Sequence, residues 1–240
     1  MKRTIIISVI GVAGLIASAV IIAKPWITIR QAKPIMVKGY AEQHVVADSG
    51  SLSAEVSAIG QTNADAYTSA GNSLEKVKQL MTAVLGNQME MVELKTSVTE
   101  VVKQDEKGNK TNEVDFYRAV RRVRVNSSDV HGLEKLGRAL SDLNTVGIHI
   151  TVKGPEFFVS NLDEVKLDLI DRATENGKER AQRMAGSSGE TLGSLVSARQ
   201  GVIQITKKNS SQTSSYGIYD TETIDKVVKL VVTLEYEIAK

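Results

Sequence analysis

The chain contains no cysteine. A disulfide framework, a thiolate zinc site and a cysteine nucleophile are therefore excluded, while either redox compartment stays open. No acidic residue precedes Glu42, whereas Lys2, Arg3, Lys24, Arg30, Lys33 and Lys38 do. Of 30 basic and 28 acidic residues, 24 and 28 thus fall from Glu42 onward. A mildly acidic body lacks the clustered positive charge that nucleic acid requires, and no such partner is expected. Charge of either sign is missing from Thr4 to Ala23.

That uncharged run is the most informative thing present. Twenty residues at about 1.5 Å each cover about 30 Å, the hydrocarbon thickness of a bilayer. Lys2 and Arg3 stand before it, and Lys24, Pro25 and Trp26 close it. The expected partner is a lipid bilayer, with Lys2, Arg3, Lys24 and Trp26 at its two interfaces. Lys2, Arg3 and the free amine favour an inside N-terminus, against the pull of Lys24, Arg30 and Lys33. The expected layout is a cytoplasmic head at 1–3, a signal anchor at 4–23, a linker at 24–34 and an extracytoplasmic body at 35–240. This places the body of a single-pass protein outside the cytoplasm. The competing reading is a signal cleaved at Ala17-Ser18-Ala19. Against it, Val20-Ile21-Ile22-Ala23 continues the apolar run past that site.

In the body, strand and helix patterns alternate. Leu52, Ala54, Val56 and Ala58 alternate with Ser51, Ser53, Glu55 and Ser57, the period of a half-buried strand. Ile35 to Glu42 reads as its hairpin partner through Ala47-Asp48-Ser49-Gly50. Asn63 is the expected cap of a first helix with the stripe Tyr67, Ala70, Leu74, Val77, Met81 and Val84. Two long strands follow, joined by a loose polar tip at Gly108-Asn109. Ser128 is the expected cap of a second helix, striped by Leu133, Leu136, Leu140 and Leu143. Ile148, Ile150 and Val152 open another strand. Asn161 and Glu164 have capping-box spacing ahead of a third helix. Leu195 to Ile205 and Val227 to Ile238 read as closing strands around a mobile polar loop at 207–225. The order ββαββαβαββ predicts an α+β domain, its antiparallel or mixed sheets carrying helices on one face.

No constellation supports an enzyme. His44, His131 and His149 lack ligand spacing. Gly132 to Arg138 lacks the Lys-Ser/Thr ending of a phosphate loop, and Gly186-Ser187-Ser188-Gly189 lacks the spacing of a nucleophile elbow. No catalytic residue, cofactor, metal or small-molecule substrate is assigned. Arg118, Arg121, Arg122 and Arg124 put four guanidinium groups on one strand, on both its faces. They read either as an anion site or subunit contact, or as a solvated strand paired with acids such as Glu93 and Glu100.

Longer motifs point to a family. Ile35-Met-Val-Lys-Gly39, then Val46-Ala-Asp48, form a first strand and an aspartate turn. Phe116-Tyr-Arg-Ala119 runs into Val123-Arg-Val125 and a Leu-spaced helix. Phe157-Phe158-Val-Ser160, an Ala/Lys/Arg-rich helix and Leu192-Gly193 come next, before the alternating last strand. From Ile35 onward this resembles the SIMPL-domain family of bacterial envelope proteins, long classed as of unknown function. The resemblance implies an envelope location, here a single-pass protein of a bacterial inner membrane with its body facing the periplasm or cell exterior, or a soluble periplasmic body if the signal is cleaved. It also implies an α+β subunit, large homo-oligomeric rings or cages in some members, and loose links to stress tolerance. The expected function is a membrane-anchored subunit whose body self-assembles into a homo-oligomeric scaffold. The alternative is a periplasmic sensor or ligand-binding module with an anion site on the arginine strand.

Overall fold

A computed structural model describes Ser18, Ala19 and residues 34–239. Ser18 and Ala19 are helical and exposed. The rest of the expected anchor, Lys24 to Lys33 of the linker, and the interface residues Lys2, Arg3, Lys24 and Trp26 lie outside the described residues. Among the described residues, no helix is long and apolar enough to cross a membrane.

Among residues 34–239 the fold is mixed α+β, with two sheets and three α-helices. Its strands are β1 Ile35–Val46, β2 Ser49–Gly60, β3 Met89–Gln104, β4 Lys110–Ser127, β5 His149–Phe158, β6 Thr191–Gln200, β7 Gln204–Lys207, β8 Ile218–Tyr219 and β9 Asp225–Ala239. The helices are α1 Asn63–Leu85, α2 Val130–Asp142 and α3 Leu162–Ser187. One sheet runs β3-β4-β2-β5; the other runs β1-β9-β7-β8, with β6 also on β9. The chain divides into two compact units. One comprises Met1–Glu42, Lys166–Ile203 and Lys229–Lys240, and the other Gln43–Val165 and Gln204–Val228.

In the larger unit, Leu52, Ala54 and Val56 of β2 and Ala119, Val123 and Val125 of β4 are buried. They meet Ala66, Ala70, Leu74, Val77 and Met81 of α1 and Leu133, Leu136 and Leu140 of α2, all buried. A fully buried leucine contributes about 2 kcal/mol, so these stripes supply most of the unit's cohesion. The opposite sheet face carries Ser53, Glu55, Arg122 and Arg124, as alternation along β2 and β4 requires. In the smaller unit, Val37, Gly39 and Ala41 of β1 and Leu230, Val232 and Leu234 of β9 turn inward, with Leu169, Ala173 and Ala181 of α3. Gly39 permits this packing: a Cβ there would stand 2.0 Å from the Ala173 carbonyl oxygen.

Several expectations need correction. β1 and β2 do not form a hairpin, since β1 pairs with β9 while β2 pairs with β4 and β5. The two residues between them bond in different directions. The Ala47 N–H donates to the Ile224 carbonyl (2.9 Å), and the Asp48 N–H to the Phe158 carbonyl (3.0 Å). The Asp48 carboxylate then accepts from the Ser160 N–H (2.9 Å) and hydroxyl, which fixes the change of sheet. Caps shift by one residue. Thr62, not Asn63, caps α1 through a reciprocal capping box with Asp65, and Asp129, not Ser128, caps α2 by accepting from the Gly132 N–H (2.8 Å). Leu195 to Ile205 is two strands, β6 and β7, broken where the Gly201 N–H donates to the Val231 carbonyl (2.9 Å). The stretch expected as a loop at 207–225 contains β8, which pairs in parallel with β7. The β3/β4 tip is held by Asp105, whose carboxylate accepts from the N–H groups of Lys107 (2.9 Å) and Asn109 (2.8 Å).

Candidate functional site

The four arginines of β4 split by face. Arg121 turns to the helix side, where its guanidinium lies 5.3 Å from the Tyr67 ring centroid and bonds Glu93 at 3.2 Å. Tyr67, expected in the buried stripe of α1, is instead 47% exposed and caps this cation. Lys78 also pairs with Glu93, and its ammonium holds that carboxyl below its ordinary range, with Arg121 adding to the effect. Glu93, and then Glu75, in turn raise Lys78. Arg121 therefore belongs to a helix-to-sheet clamp. Gly71 leaves it room: a Cβ there would lie 2.9 Å from the Arg121 Nη1.

Arg118, Arg122 and Arg124 share the other face. Arg118 lies over the Phe116 ring at 5.7 Å. Arg122 Nε donates to Glu55 Oε2 at 2.7 Å, and Arg124 Nε to Ser53 Oγ at 3.3 Å. Arg122 and Arg124 help to line a shallow depression of about 130 Å³, together with Ser53, Glu55, Leu94, Thr151 and Lys153. The structure thus brings two of the four arginines together and leaves Arg118 and Arg121 elsewhere. Thr151 and Lys153 went unrecognised in the sequence because they come from β5, and only the β2–β5 register sets them opposite Glu55 and Ser53. Glu100, expected among the arginines' acidic partners, pairs in register with Tyr117, and the acids that bond the arginines are Glu93 and Glu55.

A second feature is the treatment of sheet edges. On β1, the Glu42 carbonyl accepts from Arg172 Nη2 (2.9 Å), the Tyr40 N–H donates to Asn176 Oδ1 (3.1 Å), and the Lys38 carbonyl accepts from Arg180 Nη1 (3.1 Å). Three residues four apart on α3 thereby occupy three backbone positions two apart on β1. On β5, Asn144 brackets Ile150, accepting from its N–H (3.1 Å) and donating to its carbonyl (3.0 Å), and the Phe157 N–H donates to the Thr221 carbonyl (2.7 Å). β3 differs. It pairs with β4 alone, and among the described residues no helix or loop bonds its outer edge.

Lys226 is a buried ammonium, 2% exposed, that donates to the Asp220 carbonyl (2.6 Å) and carboxylate (3.3 Å). Burial pushes this lysine down, and Asp220 offsets that only in part. Burial alone would raise the Asp220 carboxyl, but the Thr223 hydroxyl, the Glu222 N–H and Lys226 outweigh it and hold it low. This pair fastens β8 to the start of β9. Among the described residues no three His, Asp or Glu side chains gather closely enough to hold a metal ion. His131 lies 3.6 Å from Glu134 at the surface.

Two edges closed by side chains and a loop, a third left bare among the described residues, and a polar sheet face characterise an α+β body built of sheet surfaces. Residues 35–231 match the family model SIMPL, described as a protein of unknown function (DUF541), and the chain belongs to that family. No curated protein matches it. Among solved structures it is similar to a putative amidohydrolase/peptidase from Burkholderia cenocepacia, at 13% identity and a TM-score of 0.31. It is also similar to a hydantoinase/carbamoylase family amidase from Burkholderia ambifaria, at 8% identity and a TM-score of 0.29. Each match covers 48% of this chain and 30% of the other, so the chain spans under a third of those enzymes. Likeness this slight carries no activity across.

Proposed function

We propose that the protein is a membrane-anchored envelope subunit whose body self-associates through the outer edge of β3. The observation that carries this reading is the contrast among three edges: α3 covers β1, Asn144 and Thr221 cover β5, and the longest edge strand, β3, is bare among the described residues over 16 residues. A bare edge of that length is a template for a further strand. β3 carries Glu90, Glu93 and Glu100 beside Lys95 and Lys103. Charges of both signs on one strand suit an isologous pair, in which a second copy running antiparallel sets lysine against glutamate. The anchor half rests on the uncharged run Thr4–Ala23 and its basic flanks. Any link to stress tolerance would follow from such a scaffold and has only the family resemblance behind it.

Sedimentation of the full chain in neutral detergent tests the assembly. A dimer or larger species at micromolar concentration that dissociates on Lys95→Glu/Lys103→Glu substitution supports it, and a strict monomer overturns it. Protease treatment of spheroplasts tests the topology: digestion of the body supports it, and protection overturns it. N-terminal sequencing of the mature chain distinguishes a retained anchor from cleavage after Ala19.

A further inference from the structure

We propose that the polar face of the four-stranded sheet holds a phosphate group, in the depression formed by Arg122, Arg124 and Lys153 with the hydroxyls of Ser53 and Thr151. The site follows from register. Arg122 pairs across to Glu55, and Glu55 to Thr151; Arg124 pairs across to Ser53, and Ser53 to Lys153. These are two parallel rows of three side chains, each crossing β4, β2 and β5. Neighbouring strands lie about 4.8 Å apart, so each row spans about 10 Å. The central strand contributes a short serine to one row, which leaves the floor low there. Long side chains rise on both sides, and the hollow between them measures about 130 Å³.

Orientation is also set. Both arginines use Nε to bond a β2 side chain, Glu55 at 2.7 Å and Ser53 at 3.3 Å. That holds each guanidinium beside β2, at the rim of the hollow that Thr151 and Lys153 of β5 also line. Their terminal nitrogens have no partner among the described residues, nor does the Lys153 ammonium. A planar fork with free N–H groups is the group that chelates oxyanions.

Charge selects the ligand class. Three cations and one carboxylate leave a surplus of two positive charges in the hollow. Arg124, Thr151 and Lys153 are exposed, so a ligand can reach them. A phosphomonoester dianion cancels that surplus, and its three terminal oxygens can accept from both guanidinium groups and from a hydroxyl together. A carboxylate, with one charge and two oxygens, leaves a cation unmatched. Arg118 stands apart over Phe116, and Arg121 is on the opposite face; neither takes part.

The phosphate could belong to a soluble phosphomonoester or to a phosphatidate headgroup, and titration calorimetry separates them. The full chain in neutral detergent micelles is titrated at low salt with inorganic phosphate, and separately with short-chain phosphatidic acid doped into the micelles. Saturable binding in either arm, weakened about tenfold or more in Arg124→Ser/Lys153→Ser and by less than about twofold in Arg118→Ser, supports the site. Response in both arms assigns a soluble ligand class, and response to phosphatidic acid alone assigns the headgroup. Acetate should bind at least about tenfold more weakly than phosphate in the wild type. The proposal is overturned by no saturable heat in either arm, by equal loss in Arg118→Ser, or by acetate binding as well as phosphate. Arg124 and Lys153 are chosen over Arg122 because they are exposed and lack a carboxylate partner, so the double variant keeps its fold, which its melting curve verifies.

Discussion

β1 and β3 are both edge strands, and the chain treats them in opposite ways. The outward backbone of β1 is occupied at Lys38, Tyr40 and Glu42 by side chains from α3. The outward backbone of β3 meets no such cover among the described residues. A strand with a helix laid along it is closed to further pairing, whereas a bare strand with charges of both signs is closed only to partners that do not match it. Edge protection in one molecule is therefore selective, and the proposed self-association uses the edge from which it is withheld.

The strongest way to break this contrast is Gly39→Val. The new Cβ would meet the Ala173 carbonyl oxygen at 2.0 Å and the Gly177 backbone at 2.8 Å, so α3 must lift from β1. We expect a loss of about 3 kcal/mol, read as a lower urea midpoint, and aggregation as the β1 edge opens. Next is the triple variant Arg172→Ala/Asn176→Ala/Arg180→Ala, which strips the cover but leaves the packing. It should lower the midpoint moderately, by about 1 kcal/mol for the Asn176 bond. Its sharper signature is a second mode of association in sedimentation, beyond that of the wild type. Asn144→Ala should cost about 1 kcal/mol by freeing both backbone groups of Ile150, and it asks whether β5 then behaves like β3.

The turn that sends β1 and β2 into different sheets gives a pH test. The Ser160 hydroxyl, opposed by partial burial and aided by the Ser160 N–H, holds Asp48 below its ordinary 3.8. A lowered carboxyl contributes stability that is present above the ordinary value and lost as pH falls through the folded one. Ser160→Ala should therefore reduce the urea midpoint at about pH 7, and its difference from the wild type should shrink as the pH falls below 3.8 and through the folded value. The smallest expected effect is Lys95→Glu, which should shift stability by less than about 0.5 kcal/mol while weakening association. If association is untouched, β3 is not the contact.

Much of the fold was legible because periodicity is local. Leu52, Ala54 and Val56, and Leu133, Leu136 and Leu140, announce their buried faces through spacing alone, and all are buried. Partner choice was not legible. Nothing between Ile35 and Gly60 reveals that Ala47 bonds near β9 while Asp48 bonds at the end of β5, because both partners lie more than a hundred residues on. Tyr67 fits the helical stripe by spacing, yet the arginine it covers is set by β4. The candidate site divides in the same way. Arg122 and Arg124 were visible as a cluster on one strand, and their separation from Arg118 and Arg121 follows from alternation and from Phe116. Lys153 and Thr151 needed the register of a third strand. The edge cover was invisible, since Arg172, Asn176 and Arg180 look like ordinary solvated helix positions until β1 lies beside them.

The row of contacts from α3 to β1 works like a vernier. Four helical residues advance about 6 Å, while two strand residues advance about 6.6 Å. Four residues also turn about 40° past a full revolution, so successive rungs swing steadily around the helix. The middle rung is a short asparagine, and the outer two are long arginines that can reach across the growing offset. A fourth rung would stand about 120° from the first, and at Asp168 the helix turns instead to its own Arg172, at 3.0 Å. A straight helix can thus shutter only about three steps of an adjoining strand. Lengthening β1 would require a curved helix or a second guard, which sets a geometric ceiling on how far this body plan can grow.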